Sequence, residues 1–132
     1  MSQENVEIVR RCNEAFSAQD LPTATSLLDP AVVLDPGRVG GPDVSYGREA
    51  IGPAIGRFVG AFEDYTFAVE RYVDLGAGAV LAAATERGRG KSSGVPVQRS
   101  FAFLYTVIDG RIARITVFPD EKAALEAAGL RE

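Results

Sequence analysis

The sequence predicts an α+β fold in which helices come first and an antiparallel meander follows. Residues 5–18 carry apolar side chains at a spacing of three to four, which is typical of an amphipathic helix. Residues 65–118 are predicted to form strands separated by glycine-containing turns, of which Asp109-Gly110 is the clearest hairpin signal. Helices that precede an antiparallel sheet are expected to pack together on one face of it.

The first half of the chain is predicted to contain three helices and one short strand. Asp20 can cap the second helix, which Asp29-Pro30 should end because a residue before proline avoids the helical region. The apolar run 31–35 follows as a strand, and 36–47 form a loop rich in glycine and proline. A third helix is predicted from Arg48 to Glu63, kinked or delayed by Pro53, with a core-facing stripe of Ile51, Ile55, Phe58 and Phe62.

The meander is predicted to consist of strands 65–74, 79–87, 95–108 and 111–118. The third of these is long enough that a bend or bulge is expected in it. Pro119-Asp120 opens a short C-terminal helix, and Gly129 suits the position just after that helix. We find no repeat or linker, so residues 1–132 are predicted to form a single domain.

Composition excludes several classes of function. The net charge of −4 disfavours nonspecific binding to nucleic acid. With no histidine and one cysteine, neither a zinc site nor an internal disulfide is expected, and we predict no metal and no cofactor. The N-terminus lacks the apolar stretch of a signal peptide, and no run is long enough to span a membrane. A cytoplasmic protein that does not associate with membranes is the expectation.

An aromatic face is predicted on the last hairpin. Phe101, Phe103 and Tyr105 alternate along one strand and therefore share a face. A two-residue turn at Asp109-Gly110 would set Tyr105 opposite Arg114, residue 103 opposite 116, and 101 opposite 118, unless a bulge shifts the register. This face, with Arg99 at its end, suits a ligand pocket, while a covered core face or a dimer interface remains the alternative.

Asp35 is the carboxylate of greatest interest, because it ends an apolar run and precedes Pro36. It can start a turn at Asp35-Pro36-Gly37, since Asp is favoured at the first position of a turn. It can also pair with an arginine, for which Arg99 and Arg114 are the candidates; the alternative role of these two arginines is to anchor a ligand carboxylate. A third interpretation is a general base at the mouth of an apolar cavity, where burial would favour the protonated form.

The layout resembles the nuclear transport factor 2-like superfamily, and within it the SnoaL-like domain proteins. The resemblance rests on Leu27-Leu28-Asp29-Pro30, the strand ending in Asp35-Pro36, and Asp109-Gly110-Arg111-Ile112 in the last turn. The segments Ser2–Arg11, Glu86–Lys91 and Phe118–Leu130 are similar to an uncharacterised bacterial branch. The resemblance implies a cone-shaped, curved antiparallel sheet with helices on its concave face, one deep apolar pocket, and frequent homodimers.

The resemblance carries over to individual residues only in part. Asp35 aligns with the general base of ketosteroid isomerases, which act through an aspartate base and two oxyanion donors. The positions of those donors hold Cys12 or Asn13 on the first helix and residues 101–103 on the strand. Polyketide cyclases, epoxide hydrolases and scytalone dehydratases depend on acids and histidines that have no counterparts at the corresponding positions of this sequence. The resemblance therefore implies a base that lacks most of its partners.

Two functions remain open on this basis. The first is a cofactor-independent isomerase, cyclase or hydrolase with Asp35 as base and Tyr105 or Asn13 as hydrogen-bond donor. The second is a non-catalytic module that binds a small hydrophobic molecule or dimerises. In both cases Asp35 is expected at the pocket, whose walls should come from Cys12, Asn13, Phe16, Phe58, Phe62, Arg99, Phe101, Phe103, Tyr105 and Arg114.

Overall fold

The computed structural model of the chain describes residues 2–36 and 44–129, without the side chains of Ser2 and Phe58. The helices of these ranges are α1 (Ser2–Ser17), α2 (Leu21–Ser26), α3 (Arg48–Val59) and α4 (Glu121–Ala127). The strands are β1 (Leu28–Asp35), β2 (Ser45–Tyr46), β3 (Phe62–Gly76), β4 (Ala79–Gly90), β5 (Pro96–Ile108) and β6 (Arg111–Phe118). None of the described helices is long and apolar enough to span a membrane.

The strands form one open, curved sheet in the order β2-β1-β6-β5-β4-β3. Strands β3 to β6 make the predicted antiparallel meander, with β4 pairing β5 without a register shift. The sheet is mixed rather than purely antiparallel, because β1 runs parallel to β6. This pairing puts the first strand of the chain beside the last one, and so brings Asp35 next to the final hairpin.

The two faces of the sheet are packed by different helices. On the face that we call the helix face, α1, α2 and α3 bury Val9, Ala24 and Ile51 against a core that includes Val80, Tyr105 and Ile115. The opposite face, the α4 face, buries Ala124 of α4 against Leu81, Ala102 and Phe118. Because neighbouring residues of a strand point to opposite sides, Val80 and Leu81 belong to different cores. The expectation of helices on one face therefore holds for α1 to α3, and α4 lies on the other face.

Several local predictions are confirmed by the caps and turns. The carboxylate of Asp20 accepts a hydrogen bond from the Thr23 amide and caps α2, and Asp120 caps α4 through the Ala123 amide. Asp109 and Gly110 have φ of 52° and 80°, which is the turn that Asp-Gly predicts. Gly129 follows Ala128, the C-cap residue of α4, and has φ of 83°.

Several boundary predictions are wrong, among them the loop predicted at 36–47, in which Ser45–Tyr46 form β2 and pair with β1. The third helix ends at Val59 instead of Glu63, so Phe62 is the first residue of β3 and not part of the stripe of α3. The glycines in this helix weaken its end, and pairing of Phe62 with Gly90 extends the sheet instead. Likewise, β1 begins at Leu28 rather than residue 31, and Pro30 lies within it, where the pairing with β6 is irregular.

Candidate functional site

A bulge in the last hairpin changes the predicted pairing of the aromatic face. Next to the turn, Val107 pairs with Ile112, but Thr106 pairs with Arg114, so Ala113 is an extra residue in β6. Beyond this point Tyr105 lies opposite Ile115, not opposite Arg114 as predicted. A shift of one residue moves side chains to the other face, which explains the correction.

The corrected register divides the residues that were predicted to share one face. Arg99, Phe101, Phe103 and Tyr105 of β5 lie on the helix face, together with Ile115 and Val117 of β6. Arg114, Thr116 and Phe118 lie on the α4 face instead, with Leu104 and Ala102. The prediction for β5 is therefore confirmed, and that for β6 is wrong.

Asp35 lies on the α4 face, at the end of β1. It is in register with Thr116, and its Oδ2 accepts a hydrogen bond of 3.0 Å from the Arg114 guanidinium. Arg114 also donates to the Thr116 hydroxyl at 3.3 Å. Leu34, the neighbour of Asp35, packs in the opposite core. The structure therefore confirms Arg114 as the arginine partner of Asp35, and it does not bring Asp35 beside Tyr105 and Asn13. The turn interpretation involves Gly37, which lies outside the described residues.

Tyr105 and Asn13 meet inside the core of the helix face. The Tyr105 hydroxyl donates to the Asn13 Oδ1 at 3.1 Å, and the Asn13 amide donates to the Tyr72 hydroxyl at 3.4 Å. Burial raises the pKa of both phenols above the ordinary value, most strongly for Tyr105. The Arg10 guanidinium lies 5.1 Å from the centre of the Tyr72 ring and covers the outer end of this chain of hydrogen bonds. Both tyrosines are therefore neutral groups near neutral pH, suited to hydrogen bonding rather than to proton abstraction.

An aromatic cluster, defined as Phe67, Phe101, Phe103 and Tyr105, continues from this buried pair toward the far end of the helix face. The ring centres of consecutive β5 aromatics are 6.2 and 6.3 Å apart, and Phe67 of β3 lies 5.7 Å from Phe103. Tyr105 is buried and Phe103 packs against the core, whereas Phe67 and Phe101 are half-buried and belong to neither core. Ala82 and Ala84 of β4 lie between these strands, and their small side chains leave room for the rings.

A cleft of about 710 Å³ opens to solvent between α1 and β3, beside the aromatic cluster. Asn13, Phe67 and Tyr72 line it, together with the more exposed Arg10 and Glu14. Phe67 is the member of the aromatic cluster that lines the cleft, and its ring contacts Phe103 behind it. The deep apolar pocket implied by the family resemblance stays a prediction, since the cleft is open and partly polar.

The other residues predicted to form the pocket wall do not all line one cavity. Cys12 is buried in the core, its Sγ lies 3.6 Å from the Ala24 carbonyl oxygen, and burial raises the pKa of its thiol to about 12. Phe16 is half-buried against the same core, and Phe62 contacts Tyr65 with ring centres 5.8 Å apart. The side chain of Phe58 lies outside the described part of the structure. Cys12 and Phe16 therefore belong to the core of the helix face, where the Cys12 thiol also donates a weak hydrogen bond to the Ala24 carbonyl oxygen.

Glu86 and Tyr65 are polar residues of the helix face that the sequence analysis did not single out. Glu86 is buried, accepts a hydrogen bond of 2.8 Å from the Tyr65 hydroxyl, and forms an ion pair of 2.6 Å with Arg99. Arg99 was predicted as a partner of Asp35, and it pairs with Glu86 instead. The alternation Val80, Ala82, Ala84, Glu86 along β4 is the signal that could have placed this carboxylate on the core side.

Within the described ranges, no group of three His, Cys, Asp or Glu side chains could hold a metal ion.

Comparisons with solved structures agree with this architecture. The chain is similar to an NTF2-like protein of unknown function from Burkholderia pseudomallei K96243, with 19% identity, 93% of this chain and 95% of the other covered, and a TM-score of 0.76. It is also similar to TerC, co-crystallised with polyporic acid, at 18% identity over 93% and 96% of the two chains, with a TM-score of 0.75. An LEH-like epoxide hydrolase of M. tuberculosis matches at 20% identity over 90% and 84%, with a TM-score of 0.71. At these identities the likeness shows the fold alone.

Sequence comparison identifies the family. A search among curated proteins gives no significant match. The SnoaL-like domain, by contrast, matches residues 9–115, which include the second half of α1, strands β1 to β5, the first part of β6 and the Asp35–Arg114 pair. The predicted resemblance is thereby confirmed, and the chain belongs to the SnoaL-like domain family.

Proposed function

We propose that this chain binds a small, largely apolar molecule on the helix face of its sheet. The observation that carries the proposal is the aromatic cluster, which extends from buried Tyr105 to Phe101 at the margin of the core. Half-buried aromatic rings beside a cleft present apolar area and flat stacking surfaces, which are the usual components of a ligand site. The co-crystal of TerC with polyporic acid supports the idea that this fold accommodates a small organic molecule.

The polar groups of the site support recognition of a ligand by hydrogen bonds. Asn13 lines the cleft and is held between Tyr105 and Tyr72, so its position is set before any ligand arrives. A polar group fixed by its neighbours loses little conformational entropy on binding. The expected ligand thus stacks on Phe67 and Phe101 and directs a polar atom toward Asn13.

Binding is proposed rather than catalysis because of the position of Asp35. A general base must lie within hydrogen-bond reach of the proton that it removes, in the same site as the groups that stabilise the product. Asp35 lies on the α4 face, paired with Arg114, whereas Asn13 and Tyr105 lie on the helix face. No observation links these groups to one substrate, so the alternative of a binding module is favoured.

The proposal is tested with the neutral apolar fluorophore N-phenyl-1-naphthylamine. We expect saturable binding with one molecule per chain, and a Kd raised about five- to tenfold in Phe101→Ala, because an aromatic contact is lost. Ile108→Ala is the matched control, since Ile108 is an apolar residue of the same strand and is 54% exposed. Absence of saturable binding would refute the proposal, and so would equal effects of the two substitutions.

A further inference from the structure

A charged side chain is buried at the end of the aromatic cluster. Glu86 is 2% exposed, and its two carboxylate oxygens face the Tyr65 hydroxyl at 2.8 Å and the Arg99 Nη2 at 2.6 Å. An ionised carboxylate in the protein interior is costly unless it is paired and hydrogen-bonded. Tyr65 holds Oε1 by a hydrogen bond, whereas Oε2 makes the ion pair with Arg99 without a hydrogen bond, and this ion pair places the Arg99 guanidinium at the end of the aromatic cluster.

Arg99 lies between this buried carboxylate and solvent. Its side chain is 45% exposed while that of Glu86 is 3% exposed, so the cation is the part of the pair that an approaching molecule meets. The guanidinium carbon lies 5.4 Å from the centre of the Phe101 ring. A guanidinium carries five N–H donors in a planar fork and can serve a carboxylate on one edge and a second anion on another.

We propose that Arg99 forms an anion-binding subsite at the edge of the aromatic cluster, and that the ligand of this protein is an apolar molecule with one oxyanion group. This inference rests on the proposed function and names its ligand class. The apolar body would stack on Phe101 and Phe67, and the anionic group would accept hydrogen bonds from Arg99. Because Glu86 already restrains the guanidinium, little side-chain entropy is lost when the anion binds.

The subsite is tested with two probes that differ by one charged group. The fluorophore 8-anilinonaphthalene-1-sulfonate is N-phenyl-1-naphthylamine with an added sulfonate. We expect the wild-type chain to bind the sulfonate about tenfold more tightly than the neutral probe, as for a charge-assisted hydrogen bond. The double variant Glu86→Gln/Arg99→Gln leaves no unpaired buried charge, and we expect it to lose the preference for the sulfonate and to bind the two probes with equal affinity.

Two further variants complete the test. Arg87→Gln is the control, because Arg87 is an exposed arginine of β4 that donates to Gln98 at 3.1 Å and lies one residue from Glu86, on the α4 face. We expect it to keep the preference for the sulfonate. If the double variant folds poorly, Arg99→Lys replaces it in the test, because the lysine keeps Glu86 paired. This substitution should lower the preference for the sulfonate about threefold or more, because the planar fork of the guanidinium is lost.

The outcomes separate this inference from the proposed function. Saturable binding of the neutral probe without a preference for the sulfonate would overturn the anion subsite alone. A preference that survives in both Arg99 variants, or that is lost equally in Arg87→Gln, would overturn it as well. Failure of the neutral probe to bind in a saturable manner would overturn the proposed function itself.

Discussion

The Tyr105 hydroxyl donates a hydrogen bond of 3.1 Å to the Asn13 side chain and thereby joins β5 to α1 inside the core. Asn13 in turn donates a hydrogen bond to the hydroxyl of Tyr72, which lines the cleft. Each of these buried polar groups has a partner, and a buried amide or phenol without one would be costly. The pair is thus both a structural link and the fixed polar end of the proposed ligand site.

Removing either partner of the Tyr105–Asn13 hydrogen bond should destabilise the folded chain. We expect Asn13→Ala to lower the free energy of unfolding by about 1–3 kcal/mol, because it leaves the Tyr105 hydroxyl buried without its acceptor. Tyr105→Phe should have a similar cost, and the double variant should cost less than the two single effects added together. Urea unfolding of the four proteins measures the coupling. Strict additivity would show that the hydrogen bond contributes nothing.

Gly78 should be the glycine least tolerant of substitution in the β3–β4 turn. It has φ of +83°, and an added Cβ would lie 2.7 Å from the Val107 carbonyl oxygen. Gly76 is the matched control in the same turn, with φ of +85° and no atom within 4 Å of the added Cβ. We expect Gly76→Ala to cost about 1 kcal/mol from backbone strain and Gly78→Ala about 1–3 kcal/mol more from the clash. Equal losses in thermal or urea unfolding would contradict this account.

Cys12 should make the chain less stable at alkaline pH. Burial raises the pKa of its thiol from 9.0 to about 12, so above pH 9 the unfolded state loses the proton that the folded state keeps. The unfolded state then binds fewer protons, and stability should fall by about 1.4 kcal/mol per pH unit between these two values.

The variant Cys12→Ala isolates this contribution. Near neutral pH it should be less stable than wild type by roughly 1–2 kcal/mol, because a buried side chain is shortened. From pH 9 upward the difference in the free energy of unfolding between the two proteins should become smaller. The tyrosines are common to both proteins, and only wild type has the thiol. If the difference in the free energy of unfolding stays constant in urea unfolding between pH 8 and about 10.5, burial does not raise the pKa of the Cys12 thiol.

Asp35 should matter little for binding on the helix face. Its partner Arg114 is 47% exposed, so loss of the pair in Asp35→Asn should lower the free energy of unfolding by only about 0.2–1 kcal/mol. The Kd of N-phenyl-1-naphthylamine should stay within about twofold of wild type, because Asp35 and the aromatic cluster lie on opposite faces. A Kd raised more than tenfold would show that Asp35 contributes to the ligand site.

Much of the fold could be predicted because its signals are local. The caps Asp20 and Asp120, the Asp109-Gly110 turn and the alternation of Phe101, Phe103 and Tyr105 depend on neighbouring residues alone. The parallel pairing of β1 with β6 could not be predicted in the same way, because the residues that it joins are far apart in the chain.

The candidate site shows the same division. Local alternation placed Tyr105 and Phe103 on one face, and family resemblance pointed to Asn13 and Asp35 as candidates. One extra residue at Ala113 then separated Asp35 and Arg114 from the aromatic cluster, since a shift of one position exchanges the two faces. A bulge of this kind has no strong sequence signal, and it depends on how β6 fits between β1 and β5.

The sequence by itself determined the order of the four helices and the five longer strands, the hairpin turn and the aromatic face of β5, because backbone preference and side-chain periodicity act over a few residues. Only the tertiary structure decided which polar groups meet: Asn13 with Tyr105, Glu86 with Tyr65 and Arg99, and Asp35 with Arg114. These contacts depend on strand register and on the packing of α1 against the sheet, and both are set by interactions between distant segments of the chain.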